Sequence, residues 1–406
     1  MNRTDIRRGL LLLAATAAAT GLAALSGTGA YAAGPLNWTQ TKTPDPGNWY
    51  AFEDLEVLAA DDVWSAGSGP DMPMIAHWDG ADWTQHDLPG GVLSVQDLAV
   101  AGGDDVWGVG AGGTTWYEGR VVHYDGEKWS VVEVPYPEVG SAGQITMNNV
   151  VTTGDDVWAT GIANRSIDGE RVRSGFTLHF DGAEWTLAEI PIPDKATDVD
   201  YVGLDVLANG DIVASGVQFV PIPEDPAFSR AMPWVTEFDG AQWTDIGYAD
   251  FGEISKHGAI ADTAVDKKGK GIWFTGTLWQ EDPETGAKTP EPYLVHYNGK
   301  TGEWSRPKLP TAVGVADGAL AVDKRGGVVL AVSNGSGGGE GGGYLLHYDG
   351  ETVERWEQPQ HEGSWSYTQA AYVPGTNVLW LAGCTREESG RPITGVAAYG
   401  KVSLRH

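Results

Sequence analysis

The sequence predicts an all-β fold: a seven-bladed β-propeller of four-stranded antiparallel blades, closed by the N-terminal strand of the mature chain pairing with the last blade. Three observations predict it. Two short phrases alternate along almost the whole chain. The second returns every 46 to 59 residues, the length of one four-stranded blade with its loops. No segment holds a 3.6-residue apolar period for more than about ten residues, so helix is expected to be nearly absent.

The first phrase is an acidic turn followed by Val-Trp and a small residue. It stands at Asp61-Asp62-Val63-Trp64, Asp104-Asp105-Val106-Trp107 and Asp155-Asp156-Val157-Trp158, with weaker copies around Ile212, Trp273, Val328 and Trp380. The second is His-aromatic-Asp-Gly-x-x-Trp. Its copies are His77 to Trp83, His123 to Trp129, His179 to Trp185, Phe238 to Trp243, His296 to Trp304 and His347 to Trp356. Asp-Gly or Asn-Gly between apolar runs is a strong hairpin signal, and a two-residue turn with positive φ is the expectation at each.

Blades are expected near 51–89, 92–135, 144–191, 200–246, 257–310, 316–359 and 367–400. The last unit, ending at Val396-Ala397-Ala398-Tyr399-Gly400, has only three strands. The missing strand lies at the other end, where Leu36-Asn37-Trp38-Thr39-Gln40 reads like Asp82-Trp83-Thr84-Gln85. The segment 34–46 is therefore expected to close the ring and remove the open sheet edges.

The repeat resembles a family of secreted actinobacterial seven-bladed propellers with Asp-Val-Trp-x-x-Gly and His-Trp-Asp-Gly-x-x-Trp phrases. The resemblance covers nearly all of the mature chain and implies the architecture; it implies no shared activity and no catalytic residues. The units are superficially kelch-like. The Ser-x-Asp-x-Gly-x-Thr-Trp box of sialidases is missing.

Residues 1–33 read as a signal peptide: Arg3, Arg7 and Arg8, an apolar run from Leu10 to Leu25, and Ala30-Tyr31-Ala32 for cleavage. The Arg7-Arg8 pair resembles a twin-arginine signal, although Ile6 stands where Ser or Thr is usual, so both export routes stay open. Residues 34–406 are then a single secreted, extracellular domain. The only cysteine is Cys384, so no internal disulfide forms and stability must come from the core and ring closure. The 26 basic and 55 acidic residues give a net charge of −29. A surface of that sign repels nucleic acid and anionic lipid. A monomer with no membrane insertion, no cofactor and no metal site is the expectation.

Most conspicuous residues belong to the repeat. Trp64, Trp107, Trp158, Trp273 and Trp380 share one position, and Trp38, Trp83, Trp129, Trp185, Trp243, Trp304 and Trp356 another. An aromatic recurring in each blade fills the wedge between neighbouring sheets. The histidines at 77, 123, 179, 296 and 347 also share a position, which fits a structural hydrogen bond to the following turn better than a catalytic base, needed only once.

Five tryptophans remain: Trp49, Trp116, Trp234, Trp279 and Trp365. All map to connections on one face of the ring, which also gathers the long loops. Variable loops on a rigid scaffold are where recognition resides. The candidate binding residues are these five with Tyr50, Tyr117, Arg120 and Arg171; Arg165, Asp168, Arg230, His257, Glu281 and Arg386 are further polar groups of the same face. Exposed rings suit sugar rings, and polar neighbours suit their hydroxyls. The leading expectation is a non-catalytic module that binds a polysaccharide or a protein surface. The alternative is a glycoside hydrolase or lyase whose carboxylates or His257 line the central channel, with Asp54, Glu56, Asp97, Asp205 and Asp262 as candidates. A structural or inhibitor-type partner protein is a third.

Overall fold

Seven inner strands touch one another in sequence and close a ring: β2 (Ala51–Ala59), β6 (Val92–Gly102), β10 (Gln144–Thr153), β14 (Asp198–Val206), β18 (Gly258–Val265), β22 (Val315–Val322) and β26 (Ser364–Tyr372), which returns to β2. Each heads a four-stranded antiparallel sheet whose later strands step outward in sequence order. This is the seven-bladed propeller expected from the repeat, and every described element is a strand. The computed structural model describes residues 37–404 apart from 70–71, 114–117, 141–142, 168–169, 194–195, 223–224, 249–257, 282–284, 286–287, 311–313, 334–341 and 388–390.

The seventh sheet takes its outer strand from the start of the chain. Strand β1 (Trp38–Gln40) pairs with β28 (Pro392–Lys401), Trp38 opposite Gly400 and Gln40 opposite Ala398. Side chains fasten the join. Trp38 Nε1 donates to the carbonyl of Glu357 at 3.0 Å, and Thr41 Oγ1 donates to that of Ala397 at 3.0 Å.

The repeat tryptophans are wedges. Trp64, Trp83, Trp107, Trp129, Trp158, Trp356 and Trp380 are buried in clusters that join one sheet to the next. The first-phrase ring also stacks on the second-phrase histidine of its blade. Centroids lie 4.2 Å apart for Trp64 and His77, 4.0 Å for Trp107 and His123, and 3.8 Å for Trp158 and His179. Where Val329 replaces the tryptophan, His347 stacks on Trp356 instead, at 4.4 Å.

Two local expectations are corrected. The histidines bond backward, to the acidic turn of the first phrase: His77 Nε2 lies 2.9 Å from Asp62 Oδ1, His123 Nε2 2.8 Å from Asp105 Oδ1, and His347 Nε2 2.8 Å from Asp323 Oδ2. The two phrases are thus the two halves of one contact. The Asp-Gly turns are four-residue loops rather than two-residue ones. Trp78 pairs with Trp83, and Asp79 Oδ1 accepts from the N–H groups of Ala81 and Asp82 at 2.9 Å each. Glycine is still needed, because Gly80 has φ +97°.

The glycine of Asp-Val-Trp-x-x-Gly has a steric cause. Each inner strand carries a bulge, between Tyr201 and Gly203 in β14 and between Ile260 and Asp262 in β18. A Cβ on Gly216 would collide with the carbonyl oxygen of Asp200, and one on Gly276 with that of Ala259. The space a side chain would occupy on the second strand is filled by the backbone of the first.

Candidate functional site

The loop-rich face is uneven. In the third blade, β11 (Asp156–Ile167) pairs with β10 only as far as Asn164, opposite Gln144. Arg165 to Ile167 continue past the ring, paired only with β12 (Glu170–Phe180). The fourth blade does the same with β15 (Ile212–Ile222) and β16 (Asp225–Phe238), whose last inner pairing is Phe219 with Asp198. In the fifth, β19 (Gly271–Glu281) and β20 (Lys288–Asn298) continue beyond Leu278, opposite Gly258. In the second, sixth and seventh blades the last described pairing of the corresponding strand is level with the start of the inner one: Val92 pairs with Gly112, Val315 with Ser333 and Ser364 with Arg386. Three consecutive hairpins therefore form a wall along one side of this face.

At the foot of the wall, between the second and third blades, lies a groove of about 670 Å³ lined by Glu118, Arg120, Val132, Tyr136, Val139 and Ile145, among others. Ile145 is the inner-strand partner of Ala163, at the base of the β11–β12 hairpin. The ring of Tyr136 packs edge-on against Phe176 of β12, 6.4 Å between centroids. Its hydroxyl is shielded from solvent, with no hydrogen-bond partner among the described residues, and burial raises its pKa above the usual phenol range.

Arg120 is exceptional within the repeat. It lies three residues before His123 and opposite Gly110. The same position holds Met74, Phe176, Trp234, Tyr293, Tyr344 and Val396 in the other blades, opposite Gly67, Gly161, Gly216, Gly276, Val332 and Gly383. A wedge residue has been exchanged for a cation. Its Nη1 donates to the carbonyl of Gly119 at 2.8 Å and its Nη2 to Glu118 Oε2 at 2.5 Å. The Arg120 side chain is 19% exposed and that of Glu118 56%, so the carboxylate presents the pair to solvent.

Of the nine residues expected to bind, the six whose side chains are described are spread over several blades. Trp279 stands on the projecting part of β19 and is 39% exposed, one of few large apolar side chains so open among the described residues. Trp49 is half-buried, with the Arg391 guanidinium 5.0 Å from its ring centroid. Trp116 and Tyr117 lie outside the described residues, directly before Glu118 of the groove. Arg171 pairs through its backbone with Ser166.

Three rings expected on the surface are buried, which corrects their assignment. Tyr50 is 0% exposed and donates its hydroxyl hydrogen bond to the carbonyl of Pro44 at 2.7 Å. Trp365 is 7% exposed, within the core between the last two blades. Trp234 is 1% exposed, packed on Tyr201 with 5.6 Å between centroids. It occupies the wedge position just described, so it belongs to the repeat after all.

Of the other polar groups of this face, Arg165 donates to Ser174 Oγ at 3.1 Å and to Glu189 Oε1 at 3.0 Å, and Arg386 Nε to Ser366 Oγ at 3.0 Å. Arg230 lies in β16 opposite Val220, and Glu281 ends β19 opposite Lys288. Asp168 and His257 lie outside the described residues. Sequence reasoning overlooked Glu118, Tyr136 and Arg173, which bridges Asp198 and Asp200 at 2.7 and 2.6 Å. For the groove the signal was available: Arg120 breaks the wedge pattern.

The channel carboxylates have structural work. Asp54 Oδ2 accepts from the N–H of Leu98 at 2.9 Å, Asp97 Oδ2 from Val150 at 2.7 Å, and Asp262 Oδ2 from Leu320 at 2.8 Å, each time on the next blade. Asp205 accepts from Thr263 Oγ1 at 2.8 Å in the same sense. Burial raises Asp54 to about 6. Burial first, then the Asp54 charge, pushes Asp97 and Glu56 well above the usual carboxylate range. Among the described residues no three His, Cys, Asp or Glu side chains are placed to hold a metal ion.

Solved structures of similar fold include PorZ, described as a bacterial surface component of the type-IX secretion system of Porphyromonas gingivalis, with a TM-score of 0.54 and 16% identity. The match covers 86% of this chain, which spans only 46% of the PorZ chain. An oligogalacturonate lyase in complex with manganese matches at TM-score 0.54 and 10% identity, over 91% of this chain and 97% of that one. The polysaccharide lyase Uly1 matches at 0.52 and 11%, over 87% and 90%. At these identities the likeness shows the fold alone. No family model and no curated protein matches the chain.

Proposed function

We propose that the protein is an exported, extracellular binding module that holds a polysaccharide on the loop-rich face of its propeller. The observation that carries this reading is the groove at the foot of the first of the three projecting hairpins. It combines a fixed guanidinium, a carboxylate and a tyrosine with an apolar lining, at the one blade where a wedge residue has become a cation. A few convergent polar groups in an otherwise apolar concavity is the general form of a ligand site. Trp279 adds an open ring on the wall. The leader-like residues 1–33 and the resemblance of the repeat to secreted actinobacterial propellers support export. Two solved proteins of similar fold are named as lyases of oligogalacturonate and of polysaccharide, which supports the scaffold as a carrier of such sites. Binding is favoured over hydrolysis because Asp54, Asp97, Asp205 and Asp262 already serve the blade seams.

The test is a pull-down on insoluble polysaccharides together with a glycan array, followed by affinity measurements on Arg120→Ala and Trp279→Ala. The reading expects a bound glycan and a loss of about tenfold or more in affinity for Arg120→Ala, equivalent to roughly 1.4 kcal/mol. No bound glycan, or an unchanged affinity in both variants, overturns it.

A further inference from the structure

We infer that the groove between the second and third blades takes an uncharged polysaccharide and rejects polyanionic ones. This rests on the reading of the groove as a polysaccharide site and adds the class of sugar.

Arg120 is the one cation among the described lining residues, against the carboxylates of Glu118 and Glu133. The neighbouring segments 114–117 and 141–142 contain no charged residue. Arg120 is already engaged, with one nitrogen on the Gly119 carbonyl and another on the Glu118 carboxylate. A uronate or sulfate would have to displace Glu118 and then lie beside two carboxylates; like-charge juxtaposition of this kind is what excludes wrong ligands. The net charge of −29 adds repulsion at longer range, before contact.

The same pair suits hydroxyls. A sugar hydroxyl both donates and accepts, and a guanidinium beside a carboxylate offers donors and acceptors side by side, which vicinal hydroxyls can bridge without displacing either partner. Val132, Val139, Ile145 and the Tyr136 ring supply apolar surface for the C–H faces of a neutral sugar.

The test titrates the full mature chain with neutral oligosaccharides (cello-, xylo- and mannohexaose) and with polygalacturonate and dextran sulfate. The expectation is binding of at least one neutral probe with an affinity nearly independent of salt, and none of either polyanion. Glu118→Gln and Tyr136→Ala should each weaken the neutral probe, Glu118→Gln by about tenfold. Polygalacturonate binding that is lost in Arg120→Ala and fades with salt, with the neutral probes silent, overturns the inference and leaves the polysaccharide reading standing. Neutral binding that survives both variants places the sugar elsewhere and also overturns it. If no probe binds, both readings fall.

Discussion

Asp97 stabilises a blade other than its own: its Oδ2 accepts a 2.7 Å hydrogen bond from the backbone N–H of Val150, on the inner strand of the next sheet. The device recurs around the ring. Asp54 holds Leu98, Asn149 Nδ2 donates to the carbonyl of Val202, Asp205 holds Thr263, Asp262 holds Leu320, and Gln369 Nε2 donates to the carbonyl of Glu53. Each bond falls just after the inner-strand bulge or two residues beyond it. The bulge interrupts the regular register of the sheet, and a side chain of the preceding blade bonds across the seam there, to a backbone group in each case but Asp205, whose partner is the Thr263 hydroxyl. A chain with one cysteine fastens its seams this way.

Asp262→Ala leaves the Leu320 N–H without its acceptor and should cost about 1–3 kcal/mol in urea unfolding. Asp262→Asn keeps an acceptor oxygen and should cost less. Equal stability of Asp262→Ala and the parent protein would show that the seam bond contributes nothing.

The same carboxyls make stability depend on pH. Burial pushes Asp205 up to about 6, and burial with neighbouring carboxylates pushes Asp97, Glu56 and Asp262 well up. A carboxyl with a raised folded-state pKa contributes stability that is fully present below its unfolded value, near 4, and lost as the pH rises through the folded one. The turn aspartates Asp79, Asp125, Asp181 and Asp239 are held low by backbone N–H donors, so their contribution is lost only as the pH falls below about 4. Melting temperature should therefore be higher at pH 5 than at pH 8, and Asp97→Asn should narrow the gap. A melting temperature that is flat or rising from pH 5 to pH 8 counts against this account.

The ring was legible because its causes are periodic. A turn aspartate, a wedge tryptophan and a glycine beneath a bulge leave the same residues in blade after blade. The candidate site was only half legible, for the complementary reason: it lies where the period is broken. Subtracting the obvious phrases left Trp234 outside the repeat, although its place opposite Gly216 is a repeat position whose identity drifts between Met, Phe, Tyr and Trp. Six of the seven blades hold an apolar wedge there, but of differing identity, and the phrases do not record it. Arg120 was singled out for its charge alone; its meaning comes from what the other blades hold in its place. Tyr136 lies in a connection with no counterpart to compare, and its role comes from a packing contact with Phe176, 40 residues away.

Gly216→Ala should be far more damaging than its size implies. Its Cβ would meet the carbonyl oxygen of Asp200, so the sheet must shift, at about 2–3 kcal/mol. Gly102→Ala, in a strand with open space around the added atom, is the control and should be close to neutral. Similar costs for the two in chemical denaturation would refute the steric explanation of the repeat glycine.

Closure of the ring by β1 is testable through Trp38, whose indole N–H reaches Glu357 while its ring packs against the core of the last two blades. Trp38→Ala should cost about 3 kcal/mol. Hydrogen exchange should locate the effect, with protection lost first in β28, the strand that β1 covers. Loss of protection spread evenly over all seven blades would mean that the strand stabilises the fold in general rather than closing it.

Two tryptophans of the same face separate packing from recognition. Trp234 is buried between the third and fourth blades, and Trp234→Ala should cost about 3–5 kcal/mol of stability. Trp279 lies on the projecting hairpin with over a third of its surface open and belongs to none of the buried apolar clusters, so Trp279→Ala should leave the unfolding midpoint nearly unchanged. In the same pair of variants, affinity for a bound polysaccharide should fall for Trp279→Ala, by roughly the 0.5–1.5 kcal/mol that an aromatic contact supplies. Stability and affinity are thus expected to respond to different residues. If Trp279→Ala unfolds the protein, the ring is a wedge like the others, and the wall has no aromatic face to offer a ligand.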